Sequence, residues 1–321
     1  MNSVFEIGLN HLGDPARQMR IMEAVAHQGG RCVTVQVIED SAELTRLQKS
    51  AEHLRRFCLP INAHINAARF AVGLGLAVGA TVTEPRHIPI LQEVGVSFLK
   101  ILSSDISYAP LLQEAASSGL PVYVSTGAAD LKDITAAVEV IQTYPDAQVR
   151  LIHTVLVVPT PAEILNLRAI PWLRARFGVP VAYGQHASDR RAILTAAALG
   201  AESSFIYVAE EHVDELPDRL NSVLCRDITN LLADIRMVEQ MMGAPARRGL
   251  QPAEEEVKKS VRRSIVAARR IAAGEKITHG HLAFKRPGTG ISPLDIHLVV
   301  GRKAERDFAP NEDITSEAEL N

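Results

Sequence analysis

Aromatic residues are scarce in this chain of 321 residues, which holds eight Phe, five Tyr and one Trp, 4% in all. The core must therefore be built mainly from Ala, Val, Leu and Ile. Cysteine is nearly absent. Cys32, Cys58 and Cys225 are odd in number and far apart, and form neither a C-x-x-C pair nor a metal-spaced set. That excludes a disulfide framework and a thiolate metal site, and it predicts a reduced, cytoplasmic protein. The first residues, MNSVFEIGLNHLG, lack the basic stretch and apolar core of a signal peptide. The longest apolar run, residues 70–82, is too short and too glycine-rich to span a bilayer. No G-x-G-x-x-G follows the first strand-like run, so a dinucleotide fold is unsupported. The net charge of −3 argues against nucleic acid as a partner.

Short β-rich runs do recur, separated by helical stretches. VFEIGLN (4–10), RCVTVQV (31–37), ATVTE (80–84), SFLKILS (97–103), PVYVST (121–126), VRLIHTV (149–155), PVAYGQH (180–186) and SSFIYVA (203–209) make eight. Strand alternating with helix eight times is the pattern of a (β/α)8 barrel, with a doubly wound open sheet as the alternative. Several runs are almost continuously apolar, as parallel strands covered on both faces must be. After the first run, Asp14 reads as a helix N-cap, Pro15 as the first helical residue and Gly29 as the stop. Residues 218–243 read as one further helix from the spacing of Leu220, Val223, Leu224, Ile228, Leu231 and Ile235.

The Gly-, Pro- and charge-rich residues 244–258 read as a linker between a barrel of residues 1–243 and a small β-rich module, 259–321. Within that module, FKRPGTGISPLD (284–295) sets Lys285 and Arg286 against a Pro-Gly turn. Proline fixes one φ and glycine frees another, so the loop has a defined shape that can aim a guanidinium at an anion or carbonyl. A tight turn with solvated charges is the plainer alternative.

EIGLNHLGD (6–14), SFLKILSSD (97–105), PVYVSTGAADL (121–131), PTPAE (159–163) and the module's RRSIVAARRIAAGEKIT and KRPGTGIS, in this order, resemble the sialic acid (N-acetylneuraminate) synthase family. The resemblance implies a TIM barrel followed by an antifreeze-like (SAF) domain. It implies condensation of phosphoenolpyruvate with an amino-sugar aldose, release of phosphate, and a divalent metal, Mn or Mg. It also implies a domain-swapped homodimer in which Arg286 reaches the sugar in the partner's barrel. Residue by residue, Lys100, Ser103 and Ser125 match phosphoenolpyruvate contacts, and Gln36 a substrate contact. Glu6 matches a catalytic position, and Asp105 stands where the family has a catalytic glutamate. His186 matches one of two metal-binding histidines, and His11 and His153 match further family histidines.

Other positions depart from the pattern. Thr34 stands for a substrate-binding lysine, Leu156 and Val158 for an Asn and a Tyr, and Gly184-Gln185 for a Ser-Asp pair. Tyr207 aligns with the second metal histidine, and no Gly-Pro-Asp loop follows the last strand-like run. Two readings follow: a synthase with altered substrate or metal dependence, or a degenerate relative acting as a binding or regulatory partner.

Overall fold

The structure is a computed structural model that describes residues 1–243 and 249–321. The chain divides into two compact units, Met1–Gly243 and Ala244–Asn321.

In the first unit, eight parallel strands close into a barrel: β1 Asn2–Glu6, β2 Cys32–Gln36, β3 Ala77–Val82, β4 Phe98–Ile101, β5 Val122–Ser125, β6 Val149–His153, β7 Val181–Gly184 and β8 Ser203–Ala209. Each pairs with the next, and β8 pairs back with β1. The helices are α1 Pro15–His27, α2 Ser41–Leu44, α3 Gln48–Arg55, α4 Ile61–Gly73, α5 His87–Glu93, α6 Ala109–Ser117, α7 Leu131–Gln142, α8 Ala169–Phe177, α9 Arg191–Ala198 and α10 Ile228–Met242. Helix α1 begins as its sequence dictates, with the Asp14 side chain accepting from the Ala16 N–H and Pro15 in the first turn. Gly29 then leaves the helix at φ 85°. Among the described residues no helix is long and apolar enough to cross a membrane.

Strand alternation fixes where the chemistry sits. Val4, Phe98 and Phe205 pack inside the barrel with Tyr123, Ile152 and Ala182. Phe98, Tyr123 and Phe205 meet edge to face at 5.2, 6.1 and 5.0 Å. A chain poor in aromatics thus places three of them in one plug. Two residues further along the same strands, on the same inward face, stand Glu6, Lys100 and Tyr207. The apolar layer closes the barrel below and a polar layer opens at its C-terminal mouth.

The helix expected over 218–243 starts ten residues later. Residues 218–221 form turns, and Val223–Leu224 make a short strand, β9, beside Val208 and Ala209 of β8. The cause is tertiary: the buried Asn10 carboxamide donates to the Val208 carbonyl and to Ser222 Oγ, both at 2.9 Å. The 218–222 segment is thereby pinned to the β1 loop, out of helical geometry.

Of the expected linker 244–258, residues 244–248 lie outside the described residues. The rest is not a plain linker: a 3-10 turn at Pro252–Glu254 leads into helix α11, Glu255–Val261. The second unit also has an antiparallel pair, β10 Ser264–Ala267 with β11 Leu282–Lys285, over its own core of Ile265, Ile271, Ile277, Phe308 and Ile314. Its Pro-Gly loop is held at several points. Ser264 Oγ donates to the Pro287 carbonyl and accepts from Gly290 N–H, both at 2.8 Å, and Gly288 N–H donates to the Lys259 carbonyl at 2.7 Å.

Candidate active site at the barrel mouth

A cavity of about 220 Å³ opens at the C-terminal ends of the strands, with Lys100, Ser103, Ser125, His186, Tyr207 and Asp218 around it. Lys100 Nζ is paired with the Glu6 carboxylate, and the two side chains are 6% and 4% exposed. The ammonium also lies 5.2 Å from the Phe205 ring centre and 5.9 Å from that of Tyr207. Aromatic faces and a carboxylate therefore share one buried cation, which the apolar plug beneath could not hold unpaired.

Ser103 follows β4 in a 3-10 turn, and its Oγ accepts from the Gly127 N–H at 3.0 Å. A side chain at Gly127 would meet that oxygen at 2.8 Å, so only glycine lets the β5 loop approach so closely. His186 Nδ1 lies 2.8 Å from the Val155 carbonyl, which makes it the protonated nitrogen and leaves Nε2 as a lone-pair atom. Its ring stacks on Tyr207 at 6.0 Å. Burial lowers the His186 pKa, so the ring is neutral at pH 7. Burial, with Glu6 and Asp218 nearby, pushes the Tyr207 phenol well above its usual range.

Not every anticipated residue joins this cavity. Gln36 is half-buried at the end of β2, and Asp105 is half-buried with one carboxylate oxygen lacking any partner; neither lines the cavity. Burial raises Asp105 to about 6. His11, in the turns that follow β1, is wholly buried, its Nδ1 accepting from Gly13 N–H at 3.0 Å. Thr34 is buried in β2 alongside Glu6. Leu156 and Val158 supply an apolar, half-exposed wall of the cavity. Gln185 turns away and binds the backbone of its own loop at Ala187 and Asp189. Arg286 belongs to the second unit, where it is exposed and makes no hydrogen bond or ion pair among the described residues.

One functional candidate escaped the sequence reading. The Gly-Pro-Asp loop is not wholly lost, because Pro217 and Asp218 stand in the β8–β9 connection and bring a carboxylate to the cavity. Burial, reinforced by Glu6 and opposed by Lys100, raises Asp218 to about 7. The Pro-Asp pair was the available signal, hidden by the missing glycine.

The donors present do not fit the divalent metal anticipated at His186. Beside the one imidazole stand the Tyr207 phenol, which keeps its proton, and the Lys100 ammonium, which repels a cation. Among the described residues no group of three His, Cys, Asp or Glu is arranged to hold a metal. Tyr207, the position expected from the resemblance to carry the second histidine, is a group that keeps its proton.

The chain is thus a (β/α)8 barrel with a polar, cation-bearing cavity at its C-terminal mouth, joined to a small β-rich second unit. It belongs to the NeuB family, whose model matches residues 22–247, and a SAF domain matches residues 262–317. An uncharacterized protein of Methanocaldococcus jannaschii is 30% identical over 95% of this chain and 90% of its own. The N,N'-diacetyllegionaminic acid synthase of Legionella pneumophila is 28% identical over 95% and 91%. Among solved structures, the N-acetylneuraminic acid (sialic acid) synthetase of Leptospira borgpetersenii superposes with a TM-score of 0.75 at 25% identity, over 79% of this chain and 89% of that one.

Proposed function

We propose that this chain is a nonulosonic acid synthase that condenses phosphoenolpyruvate with a 2-acetamido aldose and releases phosphate. The observation that carries this reading is the convergence of a buried lysine, two serine hydroxyls and a proton-bearing carboxyl on one cavity at the barrel mouth. Lys100, Ser103 and Ser125 are assigned to the anionic groups of phosphoenolpyruvate, an arrangement suited to charge-assisted hydrogen bonding in a dry site.

In the reaction, the vinyl carbon of phosphoenolpyruvate bonds to the aldehyde carbon of the sugar, and the aldehyde oxygen takes a proton. Asp218, raised to about 7, holds a transferable proton near neutrality and is assigned as that acid. Water then adds to the oxocarbenium carbon and gives up a proton to a base, for which Glu6 is assigned. The C–O bond to phosphate breaks, and the keto acid is left. Leu156 and Val158 favour an acceptor that carries an apolar substituent on the face they meet. Arg286 is assigned to the acceptor of a partner copy in a domain-swapped homodimer, an assembly that sedimentation would reveal. The expected setting is the cytoplasm.

A second reading is favoured by Tyr207, whose protonated phenol blocks metal polarisation of the aldehyde: a binding or regulatory partner without turnover. Phosphate release from phosphoenolpyruvate, measured across a panel of 2-acetamido aldoses with Lys100→Ala as control, separates the two. Release that requires Lys100 supports the synthase. None across the panel, with phosphoenolpyruvate still bound, supports the partner.

A further inference from the structure

A second concavity, of about 650 Å³, lies on the barrel unit between the N-terminal ends of α7 and α8. That volume is in the range of small-molecule sites. Its body is apolar, with Leu131 and Ile134 from α7 and Ile164 and Leu173 from the α8 side. Trp172, the chain's sole tryptophan, stands on its rim with 53% of its surface exposed.

Two polar groups face this apolar body. His153, anticipated as a family site histidine, lines this groove and not the mouth cavity. Its Nε2 lies 2.9 Å from the Leu165 carbonyl, which makes Nε2 the N–H donor and leaves Nδ1 as an acceptor with no protein partner. Arg168 makes no ion pair or hydrogen bond among the described residues, and the lining contains no Asp or Glu. Of the acids near it in sequence, Asp130 and Asp133 are occupied in the capping box of α7, and Glu163, next to Ile164, is exposed and lies outside the lining. The groove thus offers one unpaired cation, one accessible acceptor and an aromatic edge.

We propose that this groove is a second ligand site, for a small organic anion with an aromatic or aliphatic body and a hydroxyl or amine donor. Arg168 takes the charge, His153 Nδ1 accepts from the donor, and Trp172 covers the body. The site is separate from the mouth cavity except for Thr154, which contributes to both walls. The proposal stands whether or not the mouth catalyses a condensation.

Because Trp172 is the only tryptophan, its emission reports on this groove alone. The test is a titration with 8-anilinonaphthalene-1-sulfonate, an aromatic anion that accepts energy from tryptophan, beside its uncharged relative N-phenyl-1-naphthylamine. Saturable quenching of Trp172 by the sulfonate is expected, weakened about tenfold in Arg168→Ala, as loss of a charged contact requires. The uncharged probe should bind both proteins alike, and Ala169→Phe, which fills the groove, should abolish both. Arg168 is exposed, so its truncation keeps the fold and the test holds even if Ala169→Phe does not fold. Equal sulfonate affinity with and without Arg168, or no change in Trp172 emission, would overturn the proposal. So would Trp172 emission that depends on protein concentration without probe, since a second copy of the chain would then cover the groove.

Discussion

Glu6 at the end of β1 and Lys100 in β4, 94 positions apart in the chain, form a buried ion pair across the barrel mouth. Two charges removed from water are tolerable only together, and removing one strands the other. Lys100→Met is therefore expected to cost about 3–5 kcal/mol of stability. Adding Glu6→Gln should return most of it, since the stranded carboxylate is then gone. Phosphoenolpyruvate binding should be lost in both variants. Urea denaturation and calorimetric titration check this, and a single variant as stable as the double one would disprove the coupling.

The Gly127 loop gives a second prediction. In Gly127→Ala the new methyl group would sit 2.8 Å from Ser103 Oγ and 3.2 Å from both the Leu156 and Thr154 side chains. The serine hydroxyl must move out of the cavity. We expect phosphoenolpyruvate affinity to fall about tenfold or more, as for one hydrogen bond to a charged group, with a destabilisation of about 1–3 kcal/mol from overpacking. Gly184 tells the same story in reverse. Restoring the family's serine there would place a side chain 3.0 Å from Thr154 and 3.1 Å from Ile152, so Gly184→Ser should lower Tm and gain no activity.

Much of the barrel was legible because its signals are local. Near-continuous apolar runs bounded by glycines and helix caps specify strand and helix within a few residues, as at Asp14, Pro15 and Gly29. Lys100, Ser103 and Ser125 were legible as positions at strand ends. What failed was set by contacts between distant segments. The helix start at 228 depends on Asn10 reaching Ser222, a partner 212 residues away, and an amphipathic pattern over 218–227 carries no trace of that bond. The same fold-back puts Asp218 in the cavity. Asp105 is half-buried outside the cavity lining with one carboxylate oxygen unpartnered, and a motif match carries no information on where that side chain settles.

Buried histidines should make the fold sensitive to acid. His64 is wholly buried with neither ring nitrogen partnered, and His11 is wholly buried 6.5 Å from it. Burial lowers both to about 4, with the Asp14 charge opposing this at His11. The folded state disfavours the added proton, so the unfolded state binds more protons between 6.5 and about 4. Stability is then retained above the unfolded value and lost as pH falls towards 4. At pH 5 each ring costs about 2 kcal/mol relative to neutrality. His64→Leu should therefore raise Tm more at pH 5 than at pH 7. Equal shifts at both pH values would show that His64 takes up its proton without penalty.

Tyr207 governs the expected response to metal. Its phenol keeps its proton beside the neutral His186 ring, so chelators should leave Tm unchanged and manganese should not bind tightly to the native protein. Tyr207→His sets a second imidazole next to the first and is expected to raise manganese affinity at least tenfold, with Asp218 within the same cavity. Paramagnetic resonance of titrated manganese distinguishes free from bound ion. Tight binding to the native chain, undiminished in His186→Ala, would place the ion elsewhere.

Asp218 ties these strands to the reaction. Its carboxyl, raised to about 7 by burial and by Glu6, carries a proton over the lower half of the physiological range. For an acid raised in the folded state, the proton-bound form is favoured by folding, so its stability contribution is present at low pH and fades as pH rises through about 7. The same ionisation removes the proton assigned to the aldehyde oxygen and adds a negative charge to a cavity proposed to take an anion. Phosphoenolpyruvate affinity and turnover should both decline above pH 7. Asp218→Asn keeps the shape, removes the ionisation and should flatten the binding profile while reducing turnover at least a hundredfold, the scale of a positioned general acid. Binding and rate measured separately between pH 6 and 9 keep the two roles apart. A flattened binding profile with turnover intact would leave Asp218 an electrostatic gate for the anion and move the proton donor to another group.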